Sequence, residues 1–189
     1  MKRRAFTKSL LVAAAVLVGM GASLPAVAQF SPTFELLKAL KKNDVYGIKS
    51  NALKGANVNA RDDDGNPAIH IAAAQGQASV VKFLLEQGAH VDATNNAKET
   101  ALMKAAAIGD KVTTAVLLYY GANPNLGDSF GETALMKAAR AGHDDVVKLL
   151  IDARADLDIQ DNTGHTALEY AERARKRTVA QTLRDAGAQ

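Results

Sequence analysis

The 189-residue sequence contains no cysteine, which excludes disulfides, thiolate metal sites and a lipid-modified amino-terminal cysteine. Histidine is scarce: His70, His90, His143 and His165 are the whole set, and no two stand at the three- or four-residue spacing that places metal ligands on one helical turn. Beyond residue 28 the serines are Ser31, Ser50, Ser79 and Ser129, none in a nucleophile-elbow setting. Glycine-rich phosphate loops are missing as well. Asp62-Asp63-Asp64-Gly65-Asn66 invites a calcium reading, but in the EF-hand register Ala60 falls at the first ligand position and Ile71 at the twelfth. A solvated turn accounts for it better. The expectation is therefore a chain that is not an enzyme and takes no cofactor and no metal.

A surplus of positive charge is also absent from most of the chain. The net +3 comes from 23 basic and 20 acidic residues, but Lys2, Arg3, Arg4 and Lys8 lie in residues 1–28, where no acid occurs. Beyond residue 28 the balance is 19 against 20, a net of −1. Nucleic-acid binding, which needs a clustered positive surface, is not expected. No apolar run is long enough for a bilayer: residues 10–20 fall short of the roughly 20 that a crossing requires. They do match a signal-peptide core. Gly21, Ser23 and Pro25 follow it, and Ala26-Val27-Ala28 puts small residues where a signal peptidase needs them. Cleavage after Ala28 is predicted, leaving 29–189 as a periplasmic or secreted domain without stable membrane association. Arg3-Arg4-Ala5-Phe6-Thr7-Lys8 resembles a twin-arginine signal, so both that route and Sec remain open. An uncleaved leader would instead make a membrane-tethered scaffold.

What the chain does have is repetition. "ETALMKAA" occurs at 99–106 and again at 132–139, an offset of thirty-three. One slot at this offset holds Gly65, Lys98, Gly131 and Gly164; another holds Gly76, Gly109 and Gly142; a third holds Gly55, Gly88, Gly121, Arg154 and Gly187. Such a period marks stacked supersecondary units. Thr100, Thr133 and Thr166 precede alanine-rich runs, where a hydroxyl can cap a helix. Gly109 and Gly142 follow, suiting a left-handed helix end. Val80, Val81, Leu84 and Leu85, like Val146, Val147, Leu150 and Ile151, define one face of a second helix. Each unit reads as helix, helix and hairpin, and its apolar faces need neighbouring units to cover them. Small alanines on the first helix should bring those helices closer together than the second ones, curving the stack.

Gly65-Asn66-Pro67-Ala68-Ile69-His70-Ile71-Ala72-Ala73 resembles the G-x-T-P-L-H-x-A-A run of the ankyrin repeat family, and Gly55-Ala56-Asn57-Val58-Asn59-Ala60 resembles its G-A-D-V-N-A. The resemblance covers residues 31–189. It implies an all-α solenoid of about five helix-turn-helix units with hairpin loops, at about 31–61, 62–94, 95–127, 128–160 and 161–189. It implies a backbone-bonding role for His70 and a structural one for His143. Three departures stand out: Lys98 suggests another turn type in its hairpin, Arg154 a looser junction, and Met103 and Met136 a lost hydrogen bond where the family has histidine.

The resemblance further implies a monomer that binds an unidentified protein partner through hairpin tips and the concave ends of first helices. Those slots hold Asp63, Asp64, Asn66 and Gln75; Asn96, Glu99 and Ile108; Ser129, Phe130, Glu132 and Arg140; and Asn162, His165 and Arg173. Acidic tips and basic helix ends predict a groove of graded charge. Phe130 has no core to enter from a tip: it either folds back over a neighbouring hairpin or stands exposed, and an exposed aromatic is a favoured interface anchor. An inhibitor or immunity protein against a toxic enzyme is an alternative within the same binding class, and a minimal hydrolase or metal-binding protein an alternative outside it.

Overall fold

The computed structural model describes residues 31–189, so the predicted leader and its cleavage site lie outside the described residues. Ten helices follow in pairs: α1 (Pro32–Lys41) and α2 (Val45–Leu53); α3 (Ala68–Ala74) and α4 (Ala78–Glu86); α5 (Ala101–Ile108) and α6 (Lys111–Tyr119); α7 (Ala134–Ala141) and α8 (Asp144–Asp152); α9 (Ala167–Arg173) and α10 (Arg177–Asp185). Four of the five first helices start where threonine or serine caps them, while α3 follows Pro67. Ser31 accepts from the Phe34 amide, and Thr100, Thr133 and Thr166 accept from the amides of Met103, Met136 and Glu169. No described helix is long and apolar enough to cross a membrane.

First helices stack on first helices (α1, α3, α5, α7, α9) and second on second, with the inner row packed more closely. Side-chain size explains the difference. Ala72, Ala73, Ala105, Ala106, Ala138, Ala139 and Ala171 are fully buried in the inner row, where Cβ groups allow backbones to approach. Val81, Leu84, Leu117, Val147, Leu150 and Leu183 fill the wider outer spacing. One hydrophobic core runs from Leu36 to Ala188, built wholly from described residues.

Two sets of polar bonds hold the units in register. On one edge Asn59 Oδ1 accepts from the His90 amide (2.9 Å), Asp92 Oδ1 from the Asn123 amide (3.1 Å) and Asn125 Oδ1 from the Asp156 amide (2.9 Å). Thr33 Oγ1 starts this ladder by accepting from the Asn57 amide. Deeper in, His70 Nε2 donates to the Ala93 carbonyl (2.7 Å) and His143 Nε2 to that of Ala107 (3.1 Å). Burial holds the His70 ring below its ordinary pKa, so it sits neutral with Nδ1 unpartnered.

Two of the three departures resolve differently from the expectation. Lys98 adopts φ 57° and its amide still bonds the Asn95 carbonyl (3.0 Å), so the hairpin keeps the turn its glycine counterparts make. Arg154 takes φ 60°, and the bonds Arg154 N–H to Ile151 O (2.8 Å) and Ala155 N–H to Leu150 O (2.9 Å) hold the junction closed. Neighbouring contacts thus impose the left-handed conformation on residues that disfavour it. Arg154→Gly is expected to stabilise the fold by about 0.5–1 kcal/mol, the strain relieved less the added chain entropy; a urea midpoint that falls would refute this. Met103 and Met136 lose the inter-unit histidine bond, but each sulfur accepts a weak bond from its cap residue, Thr100 N–H (3.4 Å) and Thr133 N–H (3.5 Å).

Candidate functional site

Each hairpin tip is built on one side-chain oxygen. Asp62 Oδ1 accepts from the amides of Asp64 and Asn66, Asn95 Oδ1 from Ala97 and Glu99, Asp128 Oδ1 from Phe130 and Glu132, and Asp161 Oδ1 from Thr163 and His165. Asx residues favour such local turns because a short side chain reaches amides two and four residues on. The tips are then joined to each other. Ser129 N–H donates to the Ala97 carbonyl (2.9 Å), and Asn162 N–H to that of Phe130 (2.9 Å). Asn96 Nδ2 donates to the Asp64 carbonyl and Asn162 Nδ2 to that of Ser129, both at 3.2 Å.

Below the tips of the third to fifth units lies a chain of ion pairs. Lys137 is nearly buried; its Nζ lies 2.7 Å from Asp128 Oδ2, 3.1 Å from Glu132 Oε2 and 3.8 Å from Glu99 Oε1. Lys104 pairs with Glu99 on one side. On the other, Arg140 grips both oxygens of Glu132 and stacks 5.3 Å over the Tyr170 ring. The Tyr170 hydroxyl lies 2.5 Å from Asp161 Oδ2 and 3.1 Å from Glu132 Oε1. Burial alone would discharge Lys137, but contact with Asp128 and Glu132 outweighs it and holds the ammonium above its ordinary pKa. Burial likewise opposes ionisation of Glu132, yet Arg140 and Lys137 keep that carboxyl below its usual range. The contact with Asp161, followed by burial, pushes the Tyr170 phenol well up.

This network corrects the expected site. Glu132 is buried and bound to Lys137 and Arg140, so it does not present a charge at the tip. Glu99 is only partly exposed and bound to Lys104, and Arg140 is turned onto Glu132. Three charges of the expected gradient are therefore paired within the site. Of the remaining candidates, Asn96, Asn162 and Gln75 lie at the surface with their amide nitrogens already donating, Gln75 to the Leu40 carbonyl (3.2 Å). Asn66, partly buried, accepts from Asn95 (3.2 Å). His165, also partly buried, contacts Thr163 and Arg173. Asp63, Asp64, Ile108, Ser129, Phe130 and Arg173 are exposed.

Phe130 stands out among them at 69% exposure. Its amide is fixed by Asp128 and its carbonyl by Asn162, while the ring stands free of the core. It borders a cavity of about 500 Å³ lined by Ala97, Glu99, Asp128, Glu132, Lys137 and Arg140. Sequence reasoning missed Lys104, Lys137, Asp128, Asp161 and Tyr170 as members of this site. The signal was in the repeated octet, which carries Glu and Lys five apart in both copies. Among the described residues no group of three His, Asp or Glu side chains is placed to hold a metal ion.

The arrangement is a polar surface of hydrogen-bonded tips over a chain of ion pairs, with one aromatic standing out of it. A family model described as ankyrin repeats (3 copies) matches residues 34–128 and, in a second overlapping match, 102–189. Its two matches span the stack from α1 to the last residue, and they agree with the helix pairs, hairpins and buried alanines found in the fold: the chain belongs to the ankyrin repeat family.

Proposed function

We propose that this protein is an exported, non-catalytic adaptor that holds a partner protein against its hairpin tips and inner-helix groove. Ankyrin repeats serve as protein-interaction modules, which supports the general reading. The observation that carries the specific one is Phe130. It is a large, mostly exposed apolar side chain on a backbone pinned by hydrogen bonds, next to a groove. A pre-ordered aromatic loses little conformational freedom when a partner covers it, so its burial contributes to affinity almost undiminished. Ile108, 48% exposed at the end of α5, offers a second apolar contact. The localisation assigned here is the periplasm, on the strength of the leader pattern in residues 1–28.

The experiment is affinity capture from periplasmic extract, mass spectrometry, and titration of the captured protein with variants. Phe130→Ala is expected to weaken binding by about 2 kcal/mol or more, the loss typical of an aromatic anchor. Ile108→Ala should cost less. Circular dichroism should be unchanged for both, since neither side chain enters the core. Equal affinity for wild type and Phe130→Ala would reject the site.

A further inference from the structure

We propose that the end of the stack formed by α9 and α10 is a docking groove for an acidic segment of a partner protein. Slots that the inner units bury are charged in the last one. Ala73, Ala106 and Ala139 are fully buried, and the residue thirty-three places after Ala139 is Glu172. Leu85, Leu118 and Ile151 pack against the core, and their successor is Arg184. Gly76, Gly109 and Gly142 lie just past the first helices, and their successor, Arg175, takes φ 57°. The end face holds a groove of about 580 Å³. Arg175, Lys176 and Arg177 line it at the helix turn, and Glu172, Gln181 and Arg184 line it along the two helices.

A terminal cap needs polar cover, but it does not need an excess of one sign. Glu172 and Arg184 pair with each other across the groove. Arg175 and Arg177 are exposed and have no acidic partner among the described residues. Lys176 has none either, and its stem rests against Gly142. The other acids of these helices are engaged: Glu169 accepts from the Thr166 amide (2.8 Å) and Asp185 from the Gln181 amide group (2.7 Å). With Arg173 included, α9, α10 and their turn carry five basic residues against three acidic ones. The surplus sits at the groove.

Charge and spacing together select the occupant. Arg177 and Arg184 stand two turns apart on α10, about 10 Å along its axis. One small oxyanion does not span that distance, whereas carboxylates spaced one or two turns along a peptide do. Guanidinium groups take carboxylates in a two-pronged grip, which favours arginine for this contact. A second copy stacked end to end is a poor fit. Its α1–α2 end would bring Lys38, Lys41, Lys42, Lys49 and Lys54 against only Glu35 and Asp44. The groove shares no residue with the cavity beside Phe130, so the two sites are independent.

The test is fluorescence anisotropy of a labelled oligo-glutamate peptide titrated with the chain from Gln29 onward, which contains the entire core described above. That chain has a net charge of −1, so it offers a polyanion no general attraction and binding reports the local cluster. Binding is expected at about 20 mM salt and should fade by about 200 mM, as screening shortens the reach of the cations. Arg175→Glu with Arg177→Glu should weaken it roughly tenfold or more, because attraction at the rim becomes repulsion. Arg175→Gly with Arg177→Gln, which suits the left-handed backbone and only removes charge, should weaken it less. Lys42→Glu with Lys54→Glu at the opposite end, and Phe130→Ala, should leave it unchanged. Circular dichroism establishes that each variant is folded. No binding at low salt, or unchanged affinity in both folded Arg175 and Arg177 double variants, overturns the proposal. An equal loss in the Lys42 and Lys54 variant does so too, since the attraction would then be unspecific. Displacement of the peptide by an equal concentration of inorganic pyrophosphate would reassign the groove to phosphate ligands. A dimer in sedimentation velocity that the Arg175→Glu and Arg177→Glu variant dissolves would reassign it to a second copy.

Discussion

Lys137→Met is expected to lower the unfolding free energy by about 3–5 kcal/mol, the range for removing one partner from a buried ion pair. The ammonium is 10% exposed and stands between Asp128 (2% exposed), Glu132 (10%) and Glu99 (21%). Methionine keeps the length and apolar stem but removes the charge. Asp128 and Glu132 then remain in a low-dielectric setting, with Arg140 still serving Glu132 and nothing comparable serving Asp128. The effect should spread to the surface, because Asp128 also anchors the amides of Phe130 and Glu132. Loss of stability and loss of partner binding should therefore appear together in this variant, whereas Phe130→Ala separates them. Lys104→Met, at a more exposed pair, should cost about 1 kcal/mol or less. Urea unfolding of the two variants checks the contrast; equal midpoints would show that the Lys137 charge does not organise the core.

Acid should weaken the fold strongly, and the sign follows from the carboxylates. Burial opposes ionisation of Asp161, but the Tyr170 hydroxyl, the His165 amide and Thr163 outweigh it and hold the group far below its ordinary value. Glu132, Glu99 and Asp62 are lowered as well, each against its burial. A carboxylate lowered in the folded state contributes its full stability above the unfolded pKa of about 4, and that contribution is lost as pH falls through the folded value. Asp92 acts in the opposite direction, since burial raises it. The lowered groups outnumber it. Between pH 7 and pH 3 the melting temperature should fall by about 10 °C or more, given roughly 2–4 °C per kcal/mol for a domain of this size. Tyr170→Phe removes the shortest bond to Asp161. It should lower the melting temperature at pH 7 and narrow the gap between the two pH values. A gap as wide as wild type would mean that the Tyr170–Asp161 contact contributes nothing.

Much of the architecture could be read before any coordinates, because the period puts chemically similar residues in equivalent places. Thr100, Thr133 and Thr166 cap helices as their position suggests, and Gly109 and Gly142 end them in left-handed geometry. Where the residue type changed, the period predicted the backbone better than local preference did. Lys98 and Arg154 follow their glycine counterparts, since the stacked neighbours fix the turn. Side-chain roles were less legible. Glu132 and Asp63 both read as tip acids, yet one is buried in an ion cluster and the other is exposed. The difference lies in partners beyond the hairpin: Lys137 and Arg140 reach Glu132 from the inner helix of the same unit, and Tyr170 reaches it from the next. Asn96 and Asn162 looked free for the same reason. Their acceptors lie a full unit away in sequence, Asp64 and Ser129. Pattern along one chain locates a residue within its unit but does not reveal which groups of the adjoining unit it meets.

The edge ladder has a genetic corollary. Asn59, Asp92 and Asn125 each receive an amide from the following unit on side-chain oxygen, and asparagine and aspartate both serve because each carries such an acceptor. Any of these clasps can close on any of the amides at the matching place. Excising thirty-three codons, or copying them, would rejoin compatible halves with no mismatch at the seam. Such a chain can change length in evolution by whole modules, and the verbatim octet shared by two of its units is the trace such copying leaves.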